Sequence, residues 1–203
     1  MIKIVDYGLG NLLAFQNIYN FLNMPVHFAK TEEDLEGATH IILPGVGAFD
    51  HAIEKLNYSG MRPKLEKLVI EDKIPVLGIC VGMQILAHRS DEGILAGLGW
   101  VPGEVKHFKN LNQPNLILPH MGWNDVRPLT NQGLFKNLSV DAEFYFLHSF
   151  YFQCLNLNNV AALSTYGAEF ACAVNSENIY GVQFHPEKSH RFGIELLKNF
   201  SEL

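Results

Sequence analysis

Short apolar runs alternate with amphipathic stretches through the first half of this chain, which restricts that half to a parallel sheet covered by helices. Residues 2–6, 26–29, 40–43 and 74–79 have strand length and are mostly apolar, as strands buried on both faces must be. Between them lie helical patterns. Asn11 stands where it would cap a helix whose apolar positions Leu12, Phe15, Tyr19 and Leu22 follow the three-to-four spacing, and further patterns cover residues 49–56 and 61–71. Another helix is expected to start just past Cys80. Strands alternating with helices imply right-handed crossovers in a doubly covered sheet.

The second half reads differently. Residues 100–108, 115–118, 143–152, 160–165, 170–175 and 180–184 have the composition of strands joined by turns, some of them antiparallel. Residues 193–200 close the chain as a helix with Ile194, Leu197 and Phe200 on one face. No internal repeat, low-complexity tract or linker divides the sequence, so one α/β domain over residues 1–203 is expected.

Charge and cysteine usage exclude several function classes. The formal net charge of −6 repels phosphate backbones, so no nucleic-acid partner is expected. Three cysteines cannot all pair, and none forms a CxxC, which is the usage of a reducing compartment. The chain opens on an apolar strand without a charged leader, and no run is long and apolar enough to span a membrane. These features predict a soluble cytoplasmic protein. Neither His185 with His190 nor any cysteine pair has metal-ligand spacing, so no metal is expected.

The strongest chemical signal is Gly78-Ile79-Cys80-Val81-Gly82, a G-x-C-x-G between a buried strand and a helix. This is a nucleophile elbow written with a thiol. A strand turning sharply into a helix strains the central residue, and flanking glycines remove Cβ atoms that would clash there. Cys80 would then sit at a helix N-terminus, where free N–H groups and the dipole favour a thiolate. The N–H of Val81 would face a developing oxyanion.

A thiolate nucleophile needs an imidazole to move protons and a third group to orient it. Gly181-Val182-Gln183-Phe184-His185-Pro186-Glu187 supplies both. Pro186 forces His185 to be extended, and residues two apart on an extended segment project to one side. Cys80, His185 and Glu187 are therefore the expected triad.

Together these two segments resemble the class I (triad) glutamine amidotransferase family. Further segments resemble one branch of it, the glutaminase subunits of imidazole glycerol phosphate synthase in histidine biosynthesis. They are Asp6-Tyr7-Gly8-Leu9-Gly10-Asn11, Pro44-Gly45-Val46-Gly47-Ala48-Phe49, Gly97-Leu98-Gly99-Trp100, Pro119-His120-Met121-Gly122-Trp123-Asn124 and Phe184-His185-Pro186-Glu187-Lys188-Ser189. The resemblance implies a flavodoxin-like α/β fold, with a mixed, mostly parallel sheet flanked by helices and an antiparallel portion in the second half. It implies hydrolysis of L-glutamine to glutamate and ammonia through a cysteine thioester, without a cofactor. By position, Gln84 and Glu92 match contacts to the substrate amide and amino group. The backbone around His148-Ser149-Phe150 matches the strand that receives the α-carboxylate. Gly45, Val46 and Gly47 are similar to the family's oxyanion strand.

The resemblance also implies a partner, a (β/α)8-barrel cyclase that takes up the ammonia. Asn11, Met121, Trp123, Asn124, Tyr145 and Lys188 match positions the family uses at that interface. Two alternatives remain at this point. A second copy of such a subunit can instead supply ammonia for an amidinated surface-polysaccharide sugar. The segment Leu56-Asn57-Tyr58-Ser59-Gly60-Met61-Arg62 and the Cys80-Val81 pair leave that open. The other is a nucleotide-binding or regulatory α/β domain, against which Gly8-Leu9-Gly10-Asn11-Leu12-Leu13 lacks the third glycine of the dinucleotide fingerprint.

Overall fold

A computed structural model describes residues 1–111, 113, 115–139 and 141–203. In the first half, strands β1 (Ile2–Val5), β2 (Val26–Ala29), β3 (His40–Leu43) and β4 (Val76–Ile79) alternate with helices α1 (Leu12–Phe21), α2 (Phe49–Tyr58), α3 (Arg62–Glu66) and α4 (Val81–Gln84). The helical pattern over residues 61–71 is two pieces, because α3 runs into a π turn at Lys67–Glu71. Asn11 occupies the N-cap position of α1, but its side chain makes no capping hydrogen bond.

The second half supplies β5 (Arg89–Ser90), β6 (Gly103–His107), β7 (His120–Asp125), β8 (Arg127–Pro128), β9 (Glu143–His148), β10 (Phe150–Cys154), β11 (Val160–Tyr166), β12 (Ala168–Ser176) and β13 (Ile179–Val182), closed by α5 (His190–Ser201). The large sheet has 11 strands, with the path β2-β1-β3-β4-β13-β12-β10-β6-β5 and with β11 and β8 branching from β12. From β2 to β13 every pairing is parallel; β12 is antiparallel to β13, and β10 is antiparallel to β12 and β6. Strands β7 and β9 form a separate antiparallel pair.

The first half follows the sequence expectations closely, since its strands are bounded by unambiguous apolar runs. The second departs from them at several points, the two-residue strands β5 and β8 among them, which no apolar run marks. Residues 115–118 form a turn rather than a strand, and Asn115 there has φ 72°, which extended backbone does not allow. Residues 143–152 break at Ser149, because β9 belongs to the small sheet and β10 to the large one. Strand β7 was not expected. Its inward positions His120, Gly122 and Asn124 are polar or small, whereas its outward positions include Met121 and Trp123, inverting the pattern that identifies a half-buried strand.

One apolar cluster runs through both halves, from Ile4, Ile41 and Leu77 to Phe144, Phe184 and Phe200. In α5 the buried positions Gly193, Leu196, Leu197 and Phe200 follow the three-to-four spacing, while Ile194 lies at the edge of that face. No helix among the described residues is long and apolar enough to cross a membrane.

The glycines of the cysteine segment are required by close backbone approach. A Cβ on Gly82 would lie 1.9 Å from the Leu43 carbonyl oxygen, and one on Gly78 would lie 2.5 Å from the Gly82 carbonyl oxygen. Backbone cannot yield as a side chain can. Replacing Gly82 with Ala is therefore expected to cost about 3 kcal/mol or more, read as a fall in thermal midpoint of roughly 6 °C or more. An unchanged midpoint would contradict this packing.

Candidate active site

Cys80 sits between β4 and α4 with φ 56° and ψ −113°, a conformation rare for a residue with a side chain. Its backbone N–H donates to the Val182 carbonyl at 2.8 Å, which ties the turn to β13. The same strand then delivers the imidazole. His185 is extended, with φ −102° and ψ 94°, and Pro186 opens the 3₁₀ turn Pro186–Lys188 that carries Glu187. The turn, rather than a continuous strand, brings the pair together: His185 Nδ1 and Glu187 Oε1 lie 2.8 Å apart, and both side chains are buried.

The backbone of His185 is fixed from the small sheet. Its N–H donates to the Tyr145 carbonyl at 2.8 Å, and Ser189 Oγ donates to its carbonyl at 2.6 Å while accepting from the Tyr145 N–H at 3.0 Å. Burial alone would push the imidazole down. Hydrogen bonding to Cys80 and Glu187, with their negative charge, outweighs that and lifts His185 to about 9.

A cavity of about 290 Å³ opens over the sulfur, lined by Val46, Gly47, Cys80, Val81, Gln84, Glu92, Pro119, Leu147, His148, Ser149, Phe150, His185 and Lys188. It gathers most of the positions expected from sequence. Gly45 lies buried beneath it, where a Cβ would meet the Gly82 amide nitrogen at 2.7 Å, and Tyr7 anchors the segment by donating its hydroxyl to the Pro44 carbonyl at 2.6 Å. Glu92 Oε2 accepts the Phe49 N–H at the start of α2 at 2.8 Å, and burial raises its pKa. The positions expected to meet a partner lie outside this lining, save Lys188. Trp123 stacks on His190 and meets Tyr145 edge-on, and the Lys188 ammonium lies over the Tyr145 ring at 5.4 Å. Asn11 is exposed; Asn124 lies on the face of β7 opposite to Met121 and Trp123. No cluster of His, Cys, Asp and Glu among the described residues could hold a metal ion.

A buried thiol beside an imidazole–carboxylate pair at the floor of a pocket can attack an acyl carbon and protonate its leaving group. Residues 11–202 match the family described as glutamine amidotransferase class-I. The chain belongs to this family. It is 64% identical to the imidazole glycerol phosphate synthase subunit HisH of Bdellovibrio bacteriovorus and 52% identical to that of Leptospira interrogans, with the whole of each chain covered. Among solved structures, a glutamine amidotransferase matches with a TM-score of 0.71 at 19% identity, covering 97% of this chain and 98% of that one. Another, from Thermotoga maritima, matches at 0.65 and 17%, covering 99% and 82%. At such low identity these structures speak for the fold alone.

Two side chains of this amidotransferase site were not singled out from the sequence. Gln183 is fully buried, donates from Nε2 toward Cys80 Sγ at 3.8 Å and accepts from Gln84 Nε2 at 3.0 Å. A polar residue inside the apolar run before His185 was its only signal. Asp50 accepts the N–H groups of Ile94 and Leu95, at 2.9 and 3.1 Å, and so holds the loop that carries Glu92. Nothing local in the sequence marks it.

The shift of His185 has a consequence for stability. The folded imidazole keeps its proton up to about 9, against 6.5 for an unperturbed histidine. The part of this lift that comes from Glu187, a carboxylate in both states, makes the folded state hold more protons than the unfolded state across that window, so that stability falls as pH rises. The contribution is complete below about 6.5 and lost above about 9. Urea midpoints measured across this window should fall for the parent chain and fall less for His185→Asn; parallel curves would exclude the shift.

Proposed function

We propose that this chain is the glutaminase subunit of imidazole glycerol phosphate synthase, with Cys80, His185 and Glu187 as its triad and residues 1–203 as one domain. The observation that carries the site assignment is the cysteine at the floor of a cavity, beside a buried His185–Glu187 pair. The full-length identity to relatives named as HisH supports the pathway.

In this reading the Cys80 thiolate adds to the side-chain amide carbon of L-glutamine, and the oxyanion is met by N–H groups of Val81 and of the Gly45-Val46-Gly47 segment. His185 gives its proton to the leaving nitrogen as the C–N bond breaks, releasing ammonia and leaving a γ-glutamyl thioester. Water, deprotonated by His185, then cleaves the thioester to glutamate. Glu187 holds the imidazole throughout. Gln84 and Glu92 contact the amide and amino groups, and the His148-Ser149-Phe150 backbone receives the α-carboxylate.

Ammonia is useful only when handed on before it escapes. Met121, Trp123 and Leu147 expose apolar surface beside the pocket, as a docking face requires. The partner in this reading is a (β/α)8-barrel cyclase, contacted through Asn11, Met121, Trp123, Asn124, Tyr145 and Lys188. No cofactor takes part.

Cys80→Ala should abolish glutamate release, which a coupled glutamate assay reads directly; release that survives would exclude the nucleophile. The isolated chain should turn over weakly and be strongly stimulated by the cyclase subunit, whereas full turnover alone would overturn the gating. With a matched barrel subunit the chain should rescue a histidine auxotroph, and failure there would favour an amidinated sugar as the destination.

A further inference from the structure

Beneath the small sheet runs a chain of hydrogen bonds whose direction is fixed at every step. His148 Nδ1 lies 2.7 Å from the Phe150 carbonyl oxygen. A carbonyl only accepts, so this nitrogen carries the proton. Burial pushes His148 down to about 3 and His120 to about 4, so each ring is neutral and has a single N–H. His148 Nε2 must then accept, and its partner at 2.9 Å is His120 Nδ1. His120 Nε2 accepts in turn from Asn124 Nδ2 at 3.1 Å. The Asn124 amide is itself oriented, because Nδ2 also donates to the Thr165 carbonyl at 2.9 Å and Oδ1 accepts the Asp125 N–H at 2.9 Å.

The rings are held in place as well as bonded. His120 is stacked between Phe146 and Tyr166, with centroids at 4.8 and 4.1 Å. The chain ends at the corner where the main strand leaves the small sheet, turns at Ser149 and enters the large one. That corner lines the cavity, and Gln84 Nε2 reaches the same Phe150 carbonyl at 3.4 Å.

We propose that His120 is a positioning residue for glutamine binding: together with Asn124 it fixes the His148 ring that closes the corner at Ser149. The role rests on the glutaminase reading above, since it supposes that this corner receives the α-carboxylate. It also gives Asn124 a task on the inward face of β7, separate from the outward docking face.

Two measurements test it. Long-range ¹H–¹⁵N spectra of the chain at pH 7 should show His120 and His148 both neutral and protonated at Nδ1; an Nε2–H form or a charged ring at either position overturns the relay. His120→Phe keeps the stacked shape but leaves His148 Nε2 without its donor. Assayed with the cyclase partner, it should raise KM for glutamine roughly tenfold or more while kcat changes less than about threefold. An unchanged KM with an active parent overturns this role alone. Absence of glutamate release in the parent overturns the glutaminase reading and this role with it. If H120F does not fold, H120N replaces it. Its amide can still donate to His148, so KM should stay within about threefold of the parent, and a tenfold rise overturns the proposal.

Discussion

Backbone packed on backbone at one strand–helix junction is what the rest of the site depends on. The Gly82 Cα faces the carbonyl of Leu43 at the end of β3, and Gly45 packs against the Gly82 amide. Holding Cys80 at φ 56° costs about 1–3 kcal/mol. The surrounding sheet supplies the restraint, because β4 lies between two parallel strands and the Cys80 N–H is itself a sheet-like bond to β13. With the cysteine immobilised this way, the segment after β13 needs only a short turn to bring the imidazole alongside.

Three histidines within this region are driven in opposite directions by their surroundings. His185 faces a carboxylate and a thiol and is pushed up, whereas His148 and His120 face a carbonyl, an amide and aromatic rings and are pushed down. Burial acts on all three. What separates them is whether an anion lies within hydrogen-bonding reach. One imidazole is thereby held charged and the other two neutral.

The parts legible in the sequence were those written in local patterns. The parallel half followed from apolar runs, and the Cys80 elbow from two glycines at a strand end. The His185–Glu187 pair was legible too, although a 3₁₀ turn after Pro186 joins them, not an extended segment. What escaped depends on contacts distant in sequence. Strand β7 reads as a loop because its buried face is polar, and that face makes sense only once His148 and Thr165 lie opposite it. Asp50 is an ordinary helix residue until the loop at Ile94 folds onto it. The break at Ser149 is invisible in a continuous strand-like run that is shared between two sheets.

That division into two sheets bears on how the reacting groups are referenced in space. The sulfur is anchored to the large sheet through β4 and β13, while the imidazole backbone bonds to Tyr145 of the small one. Tyr145 lies opposite Trp123 in that pair, and Met121 lies opposite Leu147. Of these four residues on the outer face of the two-stranded unit, Tyr145 alone bonds the His185 backbone directly. The distance between Cys80 and His185 thus spans two sheets: one end is held by β4 and β13, and the other by the strand whose outer face carries Tyr145 and Leu147.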